Sequence, residues 1–146
     1  RLFLPKSMAK VTYCGIGPEE SYIDKRRAGY HGVFETNVKA MHEDYIRPQE
    51  NGSHFDCDYV ILQGGKATLT VAGEETFSFN ASVYTQEELT EKAHNYELEE
   101  SPYTVLCVDY RQSGIGSNSC GPMLAEEYQL NEEEFEFRVR FVPERR

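Results

Sequence analysis

Residues able to do chemistry are plentiful in this chain but are not grouped at working distances along the sequence. The four histidines stand at His31, His42, His54 and His94. His42-Glu43 could open a zinc-hydrolase helix motif, but Ile46 occupies the place of the second histidine. A lone loop histidine is more often a surface or hydrogen-bonded residue than a ligand or base, and each is read that way. Acidic residues come as adjacent pairs, Glu19-Glu20, Glu87-Glu88, Glu99-Glu100 and Glu126-Glu127, and as the run Glu132 to Glu134. Neighbours on a strand point to opposite faces, so such a pair cannot flank one scissile bond, and all of these read as solvated acidic surface. Gly15-Ile16-Gly17 and Gly114-Ile115-Gly116 imitate the start of a dinucleotide loop, yet Glu20 and Ser119 stand where the third glycine belongs. Both are assigned to turns. Cys14, Cys57, Cys107 and Cys120 include no C-x-x-C pair and read as reduced thiols of a cytoplasmic protein. No self-contained catalytic centre emerges.

The elements that must position these residues belong to one domain, residues 1–146, because 146 residues leave little room for a second core. Asp and Glu number 25 against 15 Lys and Arg, a formal charge of -10 that argues against nucleic acid as the main partner. No apolar run approaches the roughly 20 residues of a membrane span, and no secretory signal pattern stands at the start. A hydrophobic content of 39% predicts a folded chain. Sequons at Asn51 and Asn80 would accept glycans only on a eukaryotic secretory route and carry little weight.

The dominant apolar period is two, which predicts an all-β antiparallel sandwich. Phe135, Phe137, Val139 and Phe141 alternate with charges and predict one last strand with a wet face. Tyr59–Leu62, Gln63-Gly64-Gly65 and Lys66–Val71 read as a hairpin. Ala72-Gly73 is expected to turn the chain into a third strand over 74–79. Thr104–Val108 lacks charged residues and is expected to be a central strand, and Leu2-Phe3-Leu4 to be a strand already inside a domain. Thr85-Gln86-Glu87-Glu88 predicts a capping box and one short helix near residues 86–93, docked through Leu89 and Ala93.

Four segments carry a family resemblance: 15–25 (GIGPEESYIDK), 45–52 (YIRPQENG), 77–85 (FSFNASVYT) and 109–122 (DYRQSGIGSNSCGP). In this order they resemble the C-terminal β-sandwich, or small chain, of family 2 glycoside hydrolases of the β-galactosidase type. Lys25 stands where relatives more often have Arg, and Ile23 where Pro is common. The resemblance implies the galactose-mutarotase-like supersandwich fold and an excised piece of a larger polypeptide, with its catalytic glutamates on a separate barrel. A barrel of about 250 residues cannot fit in this chain. The chain is therefore expected to supply no catalytic residue, and to be inactive alone.

Further expectations follow from the resemblance. The partners it implies are the barrel and other domains of the same parent chain, with a galactoside such as lactose at the shared pocket; a homo-oligomer is among the assemblies it allows. No cofactor or metal is expected in this chain, whereas the parent family often uses Mg and Na in other domains. Cys120, with Ser117, Asn118 and Ser119 beside it, is expected to line the aglycone side of the active site. There many relatives place a Trp, and this chain has none among its 10 Tyr and 8 Phe. Taken without the resemblance, 114–122 is an ordinary turn, since Gly, Ser, Asn and Pro all favour turns. Tyr45–Asn51 reads mainly as a Pro-anchored connection and secondarily as an interface loop, and Asn80 and Tyr84 as supports of the turn into the helix. A free-standing carbohydrate-binding module and a mutarotase-like epimerase are the competing readings.

Overall fold

The computed structural model describes residues 1–116 and 122–145. Its strands are β1 Leu2–Pro5, β2 Lys10–Gly17, β3 Tyr30–Asn37, β4 Ser53–Gly64, β5 Ala67–Ser82, β6 Tyr103–Asp109 and β7 Val139–Arg145, with one α-helix, α1, at Gln86–Glu91. All pairings are antiparallel, in the order β1-β6-β5-β4-β2-β3, with β7 also on β5. This architecture is consistent with the expected all-β sandwich. No helix among the described residues is long and apolar enough to cross a membrane.

The β4–β5 hairpin organises the sheet. Gly64 pairs with Ala67, so Gly65 and Lys66 form the two-residue loop, and Gly65 takes φ +59°. That left-handed backbone is cheap only for glycine, which explains the residue at the tip.

β5 does not turn at Ala72-Gly73 as the sequence suggested. It runs on as one strand, and the polar cluster marks a bulge: Tyr59 pairs with Ala72 but Cys57 with Phe77, leaving residues 73–76 opposite Asp58 alone. The bulge lets β5 change partners. Before it, Ala67–Gly73 pair with β7; after it, Ser78–Ser82 pair with β6. Bulges bend and re-aim strands in this way.

One face of the sheet makes the core. Val11, Tyr13, Val60, Leu62, Val71, Phe77, Phe79 and Leu106 are almost wholly buried there, each large side chain contributing about 1.5–3 kcal/mol. The opposite face of β2, β4 and β5 carries half-buried Thr12, Cys14, Tyr59, Ile61 and Thr70. β6 is central as expected, with Thr104 to Cys107 buried between β1 and β5.

Three local expectations are corrected. The last strand begins at Val139, because β5 veers off at its bulge and leaves no continuous ladder for 135–138; Phe135 stacks instead on Tyr110, ring centroids 4.5 Å apart. The Thr85 hydroxyl does cap α1, accepting from the Glu88 amide at 3.1 Å. The Glu88 carboxylate, however, takes the Glu99 amide at 2.8 Å, and the helix ends before Ala93, which is exposed; Leu89 alone docks it. Gly15 and Gly17 sit inside β2, where a Cβ would come within 2.3 Å of Cys57 Sγ and 2.2 Å of the Tyr13 hydroxyl. They are packing glycines, not turn glycines.

Candidate functional site

Two loops overlap the segments that carried the resemblance. The first follows β6. Its neck is closed where the Gly114 amide donates to Tyr128 O at 3.0 Å and the Leu130 amide to Ser113 Oγ at 3.0 Å. Asp24 tethers it from the segment after β2, accepting from the Ile115 and Gly116 amides at 3.3 and 3.0 Å. A Cβ on Gly114 would meet the Asp24 carboxyl carbon at 2.3 Å, so a larger residue there would displace the Asp24 side chain from the neck. Loops closed at the neck this way are frequent carriers of function. Ser117, Asn118, Ser119 and Cys120 lie outside the described residues.

Beside the neck, Tyr110 is held between Phe135 and Phe137, and the Arg111 guanidinium lies 5.1 Å from its ring centroid. Two clefts flank this tyrosine. One, about 200 Å³, is lined by Phe55, Asp56, Arg26 and Arg111; the other, about 140 Å³, by Glu74, Phe137 and Arg138. Asp56 adopts φ +57°, uncommon for a residue with a side chain, at the irregular stretch of β4. The Tyr110 ring is itself covered by Phe135 and the Arg111 guanidinium, so the clefts are lined mainly by the charged side chains beside it. Both clefts are smaller than the roughly 300 Å³ at which small-molecule pockets begin, so neither encloses a disaccharide by itself.

The second loop, 43–52, covers a buried polar cluster that sequence reasoning missed. Glu20, taken as solvated surface, has a side chain only 1% exposed. It accepts from Lys25 Nζ at 2.6 Å, from the Gly52 amide at 2.7 Å and from the Tyr45 hydroxyl. Burial pushes its pKa up, but these three donors outweigh burial and hold it below the ordinary carboxylate value. Glu50 shows the opposite balance. Burial and the charge of Asp109 raise its pKa to about 7, against hydrogen bonds from the Tyr22 hydroxyl at 3.4 Å and Asn80 Nδ2 at 3.3 Å.

Asn80 also donates to Asn51 O, so it pins this loop and does not support the helix turn. Pro48 is buried, in line with the Pro-anchored reading, while Ile46 is 99% exposed. Gly52, at φ +71°, lies so close to Met41 O that a Cβ would stand 2.3 Å away. Asn51 and Asn80 are both buried, leaving neither sequon open to a glycan in the folded domain.

The histidines divide. His54 is core: its ring packs on Tyr13 and Phe79, Nδ1 donates to Ile16 O at 3.2 Å, and burial lowers its pKa to about 4. His42 packs edge-on against Tyr84, and His94 stacks on Tyr96. His31 lies beside Asp58 and Cys14 on the half-exposed sheet face. Among the described residues, Cys14, Cys57 and Cys107 are free thiols.

This combination of loop, tether and sheet can be compared with known proteins. A family model described as the β-galactosidase small chain matches residues 1–141. The chain belongs to the β-galactosidase small-chain family. A β-galactosidase of Actinobacillus pleuropneumoniae is 52% identical over 142 residues, 97% of this chain and 14% of that relative. One from Staphylococcus xylosus is 47% identical over 143 residues, again 97% and 14%. One from Lactococcus lactis subsp. lactis is 34% identical over 141 residues, 96% and 14%. The small chain thus spans about one seventh of the curated relatives it matches. Asp24, Tyr45, Glu50 and Asn80 all fall inside the segments whose pattern suggested this family, and three of these, Tyr45, Glu50 and Asn80, act in one cluster.

Proposed function

We propose that this chain is the non-catalytic small-chain sandwich of a β-galactosidase, a retaining glycoside hydrolase of terminal β-galactosides such as lactose, and supplies one wall on the aglycone side of its pocket. The match over residues 1–141 carries the reading. It is supported by the cramped clefts beside Tyr110, which need further protein to complete a sugar site. The barrel and other domains of the parent chain provide the catalytic carboxylates and the Mg and Na sites, and the parent works in the cytoplasm. Ser117, Asn118, Ser119 and Cys120 face the second sugar in this reading. Cys120 offers a small, soft, apolar contact where a Trp would give a broad platform.

Replacing Cys120 with Trp in the parent enzyme tests this. A ring stacked on a sugar is worth about 0.5–1.5 kcal/mol, so KM for lactose or the share of transglycosylation should change by roughly two- to tenfold. The unfolding midpoint should barely move. Unchanged kinetics would remove the loop from the aglycone side. The purified chain alone should not turn lactose over; robust hydrolysis would overturn the reading. NMR shifts saturating at sub-millimolar galactose would favour a free-standing binding module instead.

A further inference from the structure

Cys14 of β2, His31 of β3 and Asp58 of β4 come together on the half-exposed face of the sheet, opposite the core. β2 lies between the other two strands, with Cys14 opposite Tyr59 on one side and Ile16 opposite His31 on the other. Asp58 lies within the irregular pairing between Cys57 and Tyr59, which frees it from the strict alternation of β4. The result is three ligand atoms on three adjacent, hydrogen-bonded strands. Asp58 Oδ2 is 3.3 Å from Cys14 Sγ and 3.3 Å from His31 Nε2, and all three atoms lie within 4.8 Å of one another.

These distances fit a cation. Zinc binds thiolate, imidazole and carboxylate at about 2.0–2.3 Å, so two of its ligands at a tetrahedral angle stand about 3.3–3.8 Å apart. Both short edges of the cluster already match such a polyhedron. The donor set discriminates as well: a thiolate and an imidazole suit zinc-class ions, whereas magnesium and calcium demand oxygen. His31 and Asp58 are 41% and 53% exposed, which leaves an entry path and room for water in a fourth position.

We propose that Cys14 Sγ, His31 Nε2 and Asp58 form a site for one divalent zinc-class cation that clips the edge strand β3 to β4 across β2. On binding, the Cys14 thiol loses its proton to solvent and the sulfur lone pair forms the metal bond. Thiolate and carboxylate together then neutralise the two positive charges.

The test uses the full-length polypeptide that carries this chain, stripped by chelator and titrated with cobalt(II). One equivalent should produce a thiolate-to-cobalt charge-transfer band with the visible absorption of tetrahedral cobalt, and zinc should bleach both. Oxygen-only cation sites elsewhere give no sulfur band and cannot imitate it. Cys14→Ser should abolish the band, and His31→Ala or Asp58→Asn should weaken cobalt binding at least tenfold. On the unaltered protein, zinc should slow alkylation of Cys14 at least tenfold. Absence of the band, a band of equal strength in Cys14→Ser, or unprotected Cys14 would each overturn the site.

Discussion

Glu20 reaches into the 43–52 loop with both carboxylate oxygens engaged and almost no exposure, whereas Asp24, four residues along, holds the 111–130 loop from a half-exposed position. The same side-chain chemistry therefore fastens two loops under different dielectric conditions. A buried carboxylate must be fully bonded or it is strongly destabilising, so the first loop stands or falls with its anchor. A carboxylate open to water gives up less when its amide partners leave, so the neck at Ile115 and Gly116 is held more weakly. The two anchors predict a firmly held 43–52 loop and a more weakly held neck at Ile115 and Gly116. The weakly held neck is the one that leads into the residues of the proposed sugar contact, 117–120.

The largest effect should come from Glu20→Ala, which leaves Lys25, the Tyr45 hydroxyl and the Gly52 amide without their acceptor. A loss of about 3 kcal/mol is expected by urea denaturation; a loss under about 1 kcal/mol would erase the contrast between the loops.

Next comes Glu50, whose pKa rises to about 7 in the folded protein. It binds its proton more tightly folded than unfolded, so its contribution is full below about pH 4.5 and is lost as pH climbs through about 7. Glu50→Gln should therefore stabilise the protein at pH 8 by on the order of 2 kcal/mol and make little difference near pH 4.5. Glu20 has the opposite sign: its contribution is present above the ordinary carboxylate pKa and disappears as pH falls below it. Parallel pH profiles of stability for Glu20 and Glu50 variants would contradict the assigned environments.

The smallest stability effect belongs to Asp24→Ala, about 1 kcal/mol or less. Its kinetic consequence should be larger in proportion, with KM for lactose raised in the parent enzyme while kcat holds. A stability loss equal to that of Glu20→Ala would mean both loops are fastened alike.

Much of the frame was legible in local patterns. Gly65 marks the hairpin tip, Thr85 caps the helix, and the apolar run Thr104–Val108 lies in the middle of the sheet, because each depends on neighbours in sequence. Gly73 was misread because a turn and a bulge ask for the same residues, and only the pairing of Cys57 with Phe77 decides between them. Phe135 and Phe137 keep the strand period but lack a strand to pair with. Glu20 looked like half of an acidic pair, since its burial is set by Tyr45 and Gly52, far along the chain. Cys14, His31 and Asp58 looked scattered for the same reason: only the β3-β2-β4 order makes them neighbours. The loop at 117–120 was singled out by family pattern and not by any residue chemistry of its own.

The pairing of β1 with β6 has a consequence for how the chain is made. Leu2 faces Leu106 and Pro5 faces Tyr103, so β1 has its partner about a hundred residues downstream. While the ribosome is still producing the stretch between them, Leu2, Phe3 and Leu4 have no β6 to pair with. The hairpin of β4 and β5 closes locally long before. At the usual pace of synthesis, about 5–20 residues per second, that wait lasts roughly 5–20 seconds, during which this apolar strand is without its β6 partner.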